Sequence, residues 1–330
     1  MTSPFDSQPL HDAVVEAHAR LRPFIRETPL EESPALGLEK KSGSSGSTVF
    51  LKLENLQHTG SFKARGALNR LLCLTQQERG QGVVTASSGN HGAGVAWASA
   101  QLGIEATVFV PEQASSAKVS LIERYGATVH RVGIDGLDTE LHARDVAASR
   151  GATYVSPYND AAVMAGQGTV AVELATQASS LDALYVAVGG GGLIGGIAAY
   201  LAHALPSTRI IGALPEHSPV MERSIRAGHV IEMESLPTLS DGTAGGIESD
   251  SVTFPVCEAL VDEWMLVTEQ EIAQALRRCI DAHHMLIEGS AGVALAAYER
   301  NRARHVGERV GIVLCGANIS VDRLRQVLET

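Results

Sequence analysis

Short apolar runs alternate with helix patterns along most of this 330-residue chain. The runs lie at 82–85, 106–110, 128–132 and 153–155, and then at 184–188, 210–214, 265–267 and 310–314. Helix patterns separate the first four runs near residues 90, 117 and 137. Nearly continuous apolar runs between helices are typical of buried parallel strands joined by right-handed crossovers. The alternation predicts an α/β fold with parallel or mostly parallel sheets flanked by helices, in which ligands bind beyond the carboxyl ends of the strands.

The length of the chain exceeds the size at which one hydrophobic core usually suffices, so we expect two domains. A formal net charge of −11 argues against nucleic acid or an anionic membrane surface as a partner. No apolar stretch approaches the roughly 20 residues of a transmembrane helix, and the polar start at residues 1–11 does not resemble a signal peptide. These features predict a cytoplasmic protein.

Cysteine and histidine spacing gives no metal or disulfide pattern. Cys73, Cys257, Cys279 and Cys315 are widely separated, which predicts reduced thiols. His283 and His284 lie in a helix pattern that runs from 269 to 286, where adjacent residues do not share a face, so we expect a solvated or half-buried pair and not metal ligands. We therefore predict no metal site. The polar, glycine-rich residues 41–47 predict a flexible surface loop.

Lys63 stands in the string TGSFKARGA, where small and apolar residues follow it. Most surface lysines lie in polar, charged stretches, whereas Ala64, Gly66, Ala67 and Leu68 predict a packed environment. Burial of an amine lowers its pKa and increases its neutral, nucleophilic fraction. The pattern favours a lysine that forms a Schiff base.

The string ASSGNHG follows an apolar strand at 82–85 and precedes a helix pattern at 93–102. Backbone N–H groups at a helix N-terminus are unpaired and carry partial positive charge, so they bind a carboxylate or a phosphate. The candidate anion-binding residues are Ser87, Ser88, Gly89, Asn90 and His91. An ordinary capped helix would explain the same letters.

A run of four glycines follows the strand at 184–188 and precedes a helix pattern at 197–205. Without Cβ atoms, the backbone amides of such a run can close around a phosphate. The cradle residues are Gly189, Gly190, Gly191, Gly192 and Leu193. The spacing of Gly190, Gly192 and Gly195 also fits a dinucleotide-binding turn, for which Glu216 could supply the acidic partner. A dinucleotide site, however, would leave Lys63 and the 87–91 turn without a role.

Five strings occur together in one order: TGSFKARGA, ASSGNHG, AGQGT at 165–169, VGGGGLIGG and LCGAN at 314–318. This set spans most of the chain and resembles the serine/threonine dehydratase group of fold-type II pyridoxal-phosphate enzymes, which are similar in fold to the tryptophan synthase beta chain. The resemblance implies a large cofactor-binding domain from residues 1–82 and 156–330, with a small mobile domain, residues 83–155, inserted in it. It also implies a homodimer or a higher homo-oligomer. We expect no carboxy-terminal regulatory domain.

The resemblance implies pyridoxal 5'-phosphate as the cofactor, with its aldehyde on Lys63 and its phosphate on the amides of residues 189–193. It places Asn90 near the ring hydroxyl, Cys315 beside the ring nitrogen, and Glu288 and Gly242 near the ring. Purely structural roles would also explain these three residues. Cys315 could be a small buried hydrophobic group, Glu288 a carboxylate placed before a helix, and Gly242 part of a simple glycine turn. The substrate carboxylate would bind at residues 87–91.

The resemblance also makes predictions about reaction and substrate specificity, which concern Ser88 and Tyr158. Serine racemases place a serine at the position of Ser88, on the substrate face opposite the lysine, whereas many dehydratases have alanine there. Helix capping is the alternative role for Ser88. The resemblance places Tyr158 in the wall of the substrate pocket, and packing alone would also explain it.

The expected activity is dehydration of a β-hydroxy-α-amino acid, with L-threonine or L-serine as default substrates, to a 2-oxo acid and ammonia. Alternatives are a serine or amino acid racemase, and a dehydratase of 3-hydroxyaspartate, of phenylserine or of the hydroxyectoine-utilisation branch. In one respect the chain departs from the family. Leu214 stands where cation-binding relatives carry a glutamate, and leucine cannot ligate magnesium or calcium. The family's cation site is therefore doubtful here, although Glu216 is close in sequence.

Overall fold

A computed structural model describes residues 5–38 and 46–329 of the chain. Residues 1–4 of the polar start and residues 41–45 of the predicted surface loop lie outside the described residues. Within the described residues, no helix is both long enough and apolar enough to span a membrane.

The described strands are β1 (Leu30–Glu32), β2 (Thr48–Lys52), β3 (Val83–Ala86), β4 (Ala106–Val110), β5 (Thr128–Arg131), β6 (Thr153–Tyr154), β7 (Ala183–Ala187), β8 (Arg209–Pro215), β9 (Glu263–Val267) and β10 (Arg309–Val313). The described α-helices are α1 (Gln8–Leu21), α2 (Lys63–Leu72), α3 (Gln76–Gln81), α4 (Asn90–Leu102), α5 (Ser116–Arg124), α6 (Gly136–Arg150), α7 (Ala161–Gln177), α8 (Gly192–Ala204), α9 (Val220–Ala227), α10 (Thr253–Leu260), α11 (Glu269–His283), α12 (Gly289–Asn301) and α13 (Val321–Glu329). Short 3-10 helices lie at Glu54–Leu56, His58–Gly60 and Arg302–Arg304.

Two sheets organise these elements. The larger has the order β1-β2-β10-β7-β8-β9, and its strands are parallel except for the edge pair β1 and β2. The smaller has the order β5-β4-β3-β6 and is parallel throughout. Strands β4 and β7 are buried along their whole length. The predicted α/β fold with mostly parallel sheets is confirmed.

All four strands of the smaller sheet come from residues 83–154. One of its hydrophobic clusters also includes Leu21 of α1, Leu68 and Leu71 of α2, and Val163 of α7. The smaller sheet is therefore packed against helices from both sequence segments, 1–82 and 156–330, of the predicted large domain. The division at residues 82 and 156 stays a prediction.

Helices α2 and α7 cross closely because both carry glycine at the contact. A Cβ atom on Gly66 would lie 2.3 Å from Nε2 of Gln167, and one on Gly166 would lie 2.7 Å from the Cα atom of Gly66. The Gly66 N–H donates to Oε1 of Gln167 at 3.1 Å. Ala64, Ala67 and Leu68 are fully buried, as their sequence pattern predicts. This crossing fixes the helix that begins at Lys63.

A buried ion network lies behind the same helix. Arg65 donates from Nε to Glu54 at 2.7 Å and from Nη1 to Glu173 at 2.6 Å. Lys52, the last residue of β2, donates to Glu173 at 2.6 Å. These two cations and two carboxylates are almost fully buried, so the charges compensate one another where water cannot. The network ties β2, α2 and α7 together.

Helix α11 ends earlier than its sequence pattern predicts. His284 follows the helix with φ 54°, a left-handed conformation that terminates it at His283. His283 is half-buried with its Nε2 3.1 Å from Oγ of Ser33, and His284 is exposed. The expectation of a solvated or half-buried pair agrees with these positions.

Candidate active site

The carboxyl ends of strands from both sheets open onto one cavity of about 1430 Å³. Ser87 follows β3, Gly189 follows β7 and Cys315 follows β10, and all three line the cavity. Every candidate site residue from the sequence lines it as well: Lys63, Ser87, Ser88, Gly89, Asn90, His91, Tyr158, Gly189, Gly190, Gly191, Gly192, Leu193, Gly242, Glu288 and Cys315. Segments that are distant in sequence therefore meet at one place.

Lys63 is the first residue of α2. The chain is held there by the Phe62 N–H, which donates to the carbonyl oxygen of Cys315 at 3.1 Å. The Lys63 amine donates to the carbonyl oxygen of Pro157 at 2.8 Å. Burial lowers the pKa of Lys63 to about 8, although the nearby Cys315 and Glu288 oppose the shift. The neutral fraction of the amine is therefore far larger than that of an ordinary lysine, and it is about half at pH 8.

The turn after β3 is ordered by Ser87, whose Oγ accepts the Gly89 N–H at 3.1 Å. Helix α4 then begins at Asn90, with Gly89 at its N-cap and no capping side chain. The alternative role of Ser88 as a helix cap is wrong, because Ser87 makes the local turn bond and Gly89 occupies the cap. Ser88 is half-buried in the cavity wall.

His91 is buried and neutral. Its Nε2 lies 3.0 Å from the carbonyl oxygen of Val155, which can only accept, so Nε2 carries the hydrogen. Burial lowers the pKa of His91 to about 3, and the Lys63 charge adds to the effect. The imidazole therefore adds no positive charge beside the amine.

Glu288, Asn90 and Asn318 form a polar cluster at the cavity wall. Nδ2 of Asn90 donates to the two Glu288 oxygens at 2.8 and 2.9 Å, and the Asn318 N–H donates to Oε2 at 3.1 Å. Nδ2 of Asn318 also donates to Oδ1 of Asn90 at 2.7 Å. Burial raises the pKa of Glu288 to about 7 despite the Asn90 bond. The group therefore titrates near neutrality.

Asn318 is a site residue that the sequence analysis did not single out. It lines the cavity and fixes the orientation of Asn90. The string LCGAN contributes to the family resemblance only as a whole. The position of Asn318 just after a buried strand is the signal that could have identified it. A polar side chain at the carboxyl end of a parallel strand is a candidate in its own right.

Cys315 follows β10 and is 2% exposed. Burial raises the pKa of its thiol well above the usual range, and the Glu288 carboxylate adds to the shift. The thiol therefore stays protonated, as a small uncharged group in the cavity wall. The described cysteines are all free, as the sequence predicts.

The glycine loop, residues 189–192, has no room for side chains. A Cβ atom on Gly190 would lie 2.3 Å from the ring of Tyr158, and one on Gly191 would lie 2.9 Å from Sγ of Cys257. Gly191 also has φ 85°, which strains any other residue. Helix α8 begins at Gly192, so its first N–H groups lack intrahelical acceptors. Bare amides at a helix N-terminus suit a phosphate.

Tyr158 and Gly242 border the loop and the polar cluster. The ring of Tyr158 packs against Gly190, and its hydroxyl accepts the Glu248 N–H at 2.9 Å. Burial raises the pKa of Tyr158, so the phenol stays neutral. A Cβ atom on Gly242 would lie 2.7 Å from Oγ of Ser290. Both residues shape the wall without introducing charge.

Leu214 and Glu216 lie outside the cavity wall. The Leu214 side chain is 1% exposed within the core. The Glu216 side chain is 44% exposed and lies 3.9 Å from Nη1 of Arg300. Across residues 5–38 and 46–329, no cluster of three or more His, Cys, Asp or Glu side chains could hold a metal ion. The absence of the family's cation site at Leu214 stays a prediction.

These residues fit pyridoxal phosphate. The cavity combines an amine of lowered pKa, a loop in which a Cβ atom on Gly190 or Gly191 would collide, and an uncharged wall at Cys315. A dinucleotide site would need the acidic partner near the loop, whereas Glu216 is paired elsewhere.

Comparisons with known proteins agree with this chemistry. A family model described as "Pyridoxal-phosphate dependent enzyme" matches residues 21–316. The chain is 38% identical over 319 residues to an L-threonine dehydratase catabolic TdcB of Staphylococcus aureus, covering 96% of this chain and 91% of that protein.

Two solved structures extend the comparison. The processed form of threonine deaminase isoform 2 from Solanum lycopersicum superimposes with a TM-score of 0.91 at 30% identity, covering 100% of this chain and 95% of that one. Maize serine racemase gives a TM-score of 0.87 at 32% identity and covers 96% of both chains. The predicted fold-type II relationship is confirmed, and the cofactor is pyridoxal 5'-phosphate. The chain belongs to the family of pyridoxal-phosphate dependent enzymes.

Proposed function

We propose that this enzyme dehydrates a β-hydroxy-α-amino acid, with L-threonine or L-serine as default substrates, and releases a 2-oxo acid and ammonia. The observation that carries the proposal is the Lys63 amine, whose pKa is lowered to about 8 in the cavity that also contains the 87–91 turn. Relatives named threonine dehydratase and threonine deaminase support the same reaction.

The cofactor would be held by several groups of this chain. Lys63 would bind its aldehyde carbon, the amides of residues 189–193 its phosphate, and Asn90 its ring hydroxyl. Cys315 would lie beside the ring nitrogen, and Gly242 and Glu288 would border the ring. When bound, pyridoxal phosphate supplies an electron sink for the substrate α-carbon.

The chain's own groups would then carry the proton transfers. The amines of Lys63 and the substrate compete for the cofactor, so the displaced Lys63 amine is free to remove the α-proton as a general base. The α-carboxylate would bind the N–H groups at the start of α4, where the helix dipole favours an anion. The β-hydroxyl would leave as water. Hydrolysis of the released product would then give the 2-oxo acid and ammonia. Tyr158 would border the β-substituent.

The uncharged thiol of Cys315 would leave the ring nitrogen unprotonated. A thiol is a weak donor, so it does not stabilise a pyridinium as a carboxylate would. This environment suits prompt expulsion of the β-hydroxyl. Replacement of Cys315 by Ser should therefore retain substantial activity, whereas Cys315→Asp should alter the products and the absorption spectrum.

The test is an assay of ammonia and 2-oxo acid with L-threonine, L-serine and other β-hydroxy amino acids. Lys63→Ala should abolish turnover and leave a folded protein, because its assigned role is covalent. Circular dichroism would establish folding of the variant. Ammonia release from Lys63→Ala near the wild-type rate would contradict the proposal.

A racemase is the second candidate. Ser88 in the cavity wall and the likeness to maize serine racemase favour it. Dehydration of 3-hydroxyaspartate, of phenylserine or of a hydroxyectoine-utilisation intermediate would use the same Lys63 chemistry, and the substrate panel separates these.

The proposal extends to the whole enzyme. Residues 83–155 would move as a small domain against a large domain of residues 1–82 and 156–330. We expect a homodimer or a higher homo-oligomer in the cytoplasm, and light scattering on the purified holoenzyme measures the assembly.

A further inference from the structure

Helix α10 packs against the glycine loop from the side opposite the cavity. Thr253, its first residue, and Cys257, one turn later, are both fully buried. Among the described residues, the cavity wall includes all four glycines of the loop and none of α10. The loop is therefore a thin layer between the cavity and α10.

Thr253 bonds to the backbone of the loop. Its Oγ1 donates to the carbonyl oxygen of Gly190 at 2.5 Å. Oγ of Ser251 lies 2.7 Å from the same Oγ1. Because a hydroxyl has one hydrogen, and Thr253 gives its hydrogen to Gly190, Ser251 donates to Thr253. The carbonyl of Gly190 thus ends a chain of two hydroxyl hydrogen bonds.

Cys257 makes a weaker contact of the same kind. Its Sγ lies 3.9 Å from the carbonyl oxygen of Gly191, within reach of a thiol hydrogen bond. Burial raises the pKa of the Cys257 thiol to about 12, so the hydrogen is present. The same Gly191 carbonyl accepts the Gly195 N–H at 2.8 Å, so the thiol adds to a bond that α8 already makes.

The planarity of the peptide bond gives these contacts a consequence on the other side. In a trans peptide the C=O and the following N–H point in opposite directions. A Gly190 carbonyl held toward Thr253 directs the Gly191 N–H away from α10. The Gly191 N–H then points to the side on which the cavity lies. The Gly191 carbonyl is held mainly by the Gly195 N–H, and Cys257 makes a weaker second contact to it.

We propose that Thr253 and Cys257 are positioning residues that orient the amides of the glycine loop toward the cofactor phosphate. The inference rests on the proposed phosphate site at residues 189–193. Glycine is the most flexible residue, so a run of four holds no orientation by itself. Together with the Gly195 N–H bond to the Gly191 carbonyl, the bonds from α10 supply the constraint that side chains would otherwise provide.

The test compares cofactors with and without the phosphate. Dissociation constants of pyridoxal 5'-phosphate and of pyridoxal are measured by absorbance titration of the apoenzyme. Thr253→Val keeps the shape and removes the hydroxyl. We expect it to raise the dissociation constant of pyridoxal phosphate about threefold to tenfold, the range for one hydrogen bond. The constant for pyridoxal should stay unchanged, and Thr253→Ser should restore the wild-type ratio of the two constants.

Thr208→Val is the matched control. Its Oγ1 donates to the carbonyl oxygen of Leu181 at 2.7 Å, and it is 8% exposed. This bond lies at the opposite ends of β7 and β8 from the glycine loop. Thr208→Val therefore removes a comparable bond, and the ratio of the two dissociation constants should not change. The phosphorus NMR signal of the bound cofactor should shift in Thr253→Val but not in Thr208→Val, and Cys257→Ala should give a smaller shift in the same direction.

Gly191→Ala separates failure of this inference from failure of the proposed phosphate site. If Gly191→Ala lowers the preference for the phosphorylated cofactor and Thr253→Val does not, the positioning role is overturned and the site stands. If neither variant changes the preference, the phosphate binds elsewhere and both proposals fall. Equal weakening of pyridoxal and pyridoxal phosphate by Thr253→Val would indicate a purely structural role and would overturn the inference.

Discussion

The Lys63 side chain combines a chemical role with a measurable titration. Burial disfavours the charged amine and lowers its pKa to about 8 from an ordinary value of 10.5. Only the neutral amine attacks the cofactor aldehyde. The rate constant for capture of pyridoxal phosphate by the apoenzyme should therefore rise with pH, with a midpoint near 8, and then level off.

Stopped-flow absorbance between pH 6 and roughly pH 10 measures this rate, and Lys63→Ala provides the baseline. A rate that still rises tenfold per pH unit above pH 9 would mean that the amine is not desolvated.

Ser88 separates the two candidate activities. Elimination needs only the lysine, whereas racemisation needs a proton donor on the opposite face of the substrate. Ser88→Ala should preserve much of the 2-oxo acid production and remove interconversion of L- and D-serine. Chiral chromatography beside an ammonia assay measures both.

Ser87→Ala is the matched control for the Ser88 experiment. Because Ser87 makes the turn bond to Gly89, its loss should reduce both activities. If wild-type enzyme racemises faster than it eliminates, dehydration is not the main reaction. If Ser88→Ala loses both activities, Ser88 also holds the turn.

Site residues differed in how well the sequence predicted them. The chemistry of Lys63 and of the four glycines could be predicted from the residues next to them in the sequence. Asn318 and Thr253 act through bonds to residues that are 228 and 63 positions away. No local pattern encodes such a contact, because the meeting of the segments depends on the strand order of the sheet. The turn bond that Ser87 makes to Gly89 was likewise not predicted.

At the scale of elements, the crossing of α2 and α7 offers a stability test. A methyl group on Gly166 would collide with the backbone of α2, including the carbonyl oxygen of Arg65 at 2.8 Å. Gly166→Ala should destabilise the apoenzyme by about 1–3 kcal/mol, as overpacking does. It should also weaken cofactor binding, because α2 begins at Lys63.

Gly80→Ala is the matched control for that crossing. Gly80 lies in α3, and a Cβ atom there would meet nothing within 4 Å. The change should leave stability unchanged or increase it by up to about 1 kcal/mol, because alanine favours the helix. Urea unfolding of both apoenzymes measures the difference. Equal stabilities for Gly166→Ala and Gly80→Ala would show that the helices can separate without loss.

Most elements, but not all, could be predicted from the pattern. The eight apolar runs of the sequence correspond to β3 through β10. Fully buried strands such as β4 and β7 have no polar face to interrupt the run, whereas β5 is mostly exposed. Strands β1 and β2 were not predicted. Strand β1 has three residues that are half-buried or exposed, and β2 ends in Lys52, which is buried only because Glu173 compensates its charge. Tertiary contacts, and not the local sequence pattern, determine these two strands.

At the scale of the whole molecule, the enzyme should work without a divalent cation. Leu214 is buried in the core, and Glu216 is paired with Arg300. Exhaustive EDTA treatment should therefore leave activity and melting temperature almost unchanged. A loss of activity that magnesium or calcium reverses would indicate a cation site built from other residues. Equilibrium dialysis with calcium would then measure the number of ions bound per chain.

The crowding around the glycine loop also constrains how this enzyme can diverge. The loop glycines face different neighbours: Thr243 lies against Gly189, Tyr158 against Gly190 and Gly192, and Met221 and Cys257 against Gly191. At Gly190 and Gly191, where a Cβ atom would lie 2.3 and 2.9 Å from its nearest neighbour, a larger residue would require a second change in a segment far away in the gene. Single substitutions should therefore be rare at these two positions. In a saturation library, surviving variants here should carry paired changes, whereas the exposed helix surfaces should accept substitutions singly.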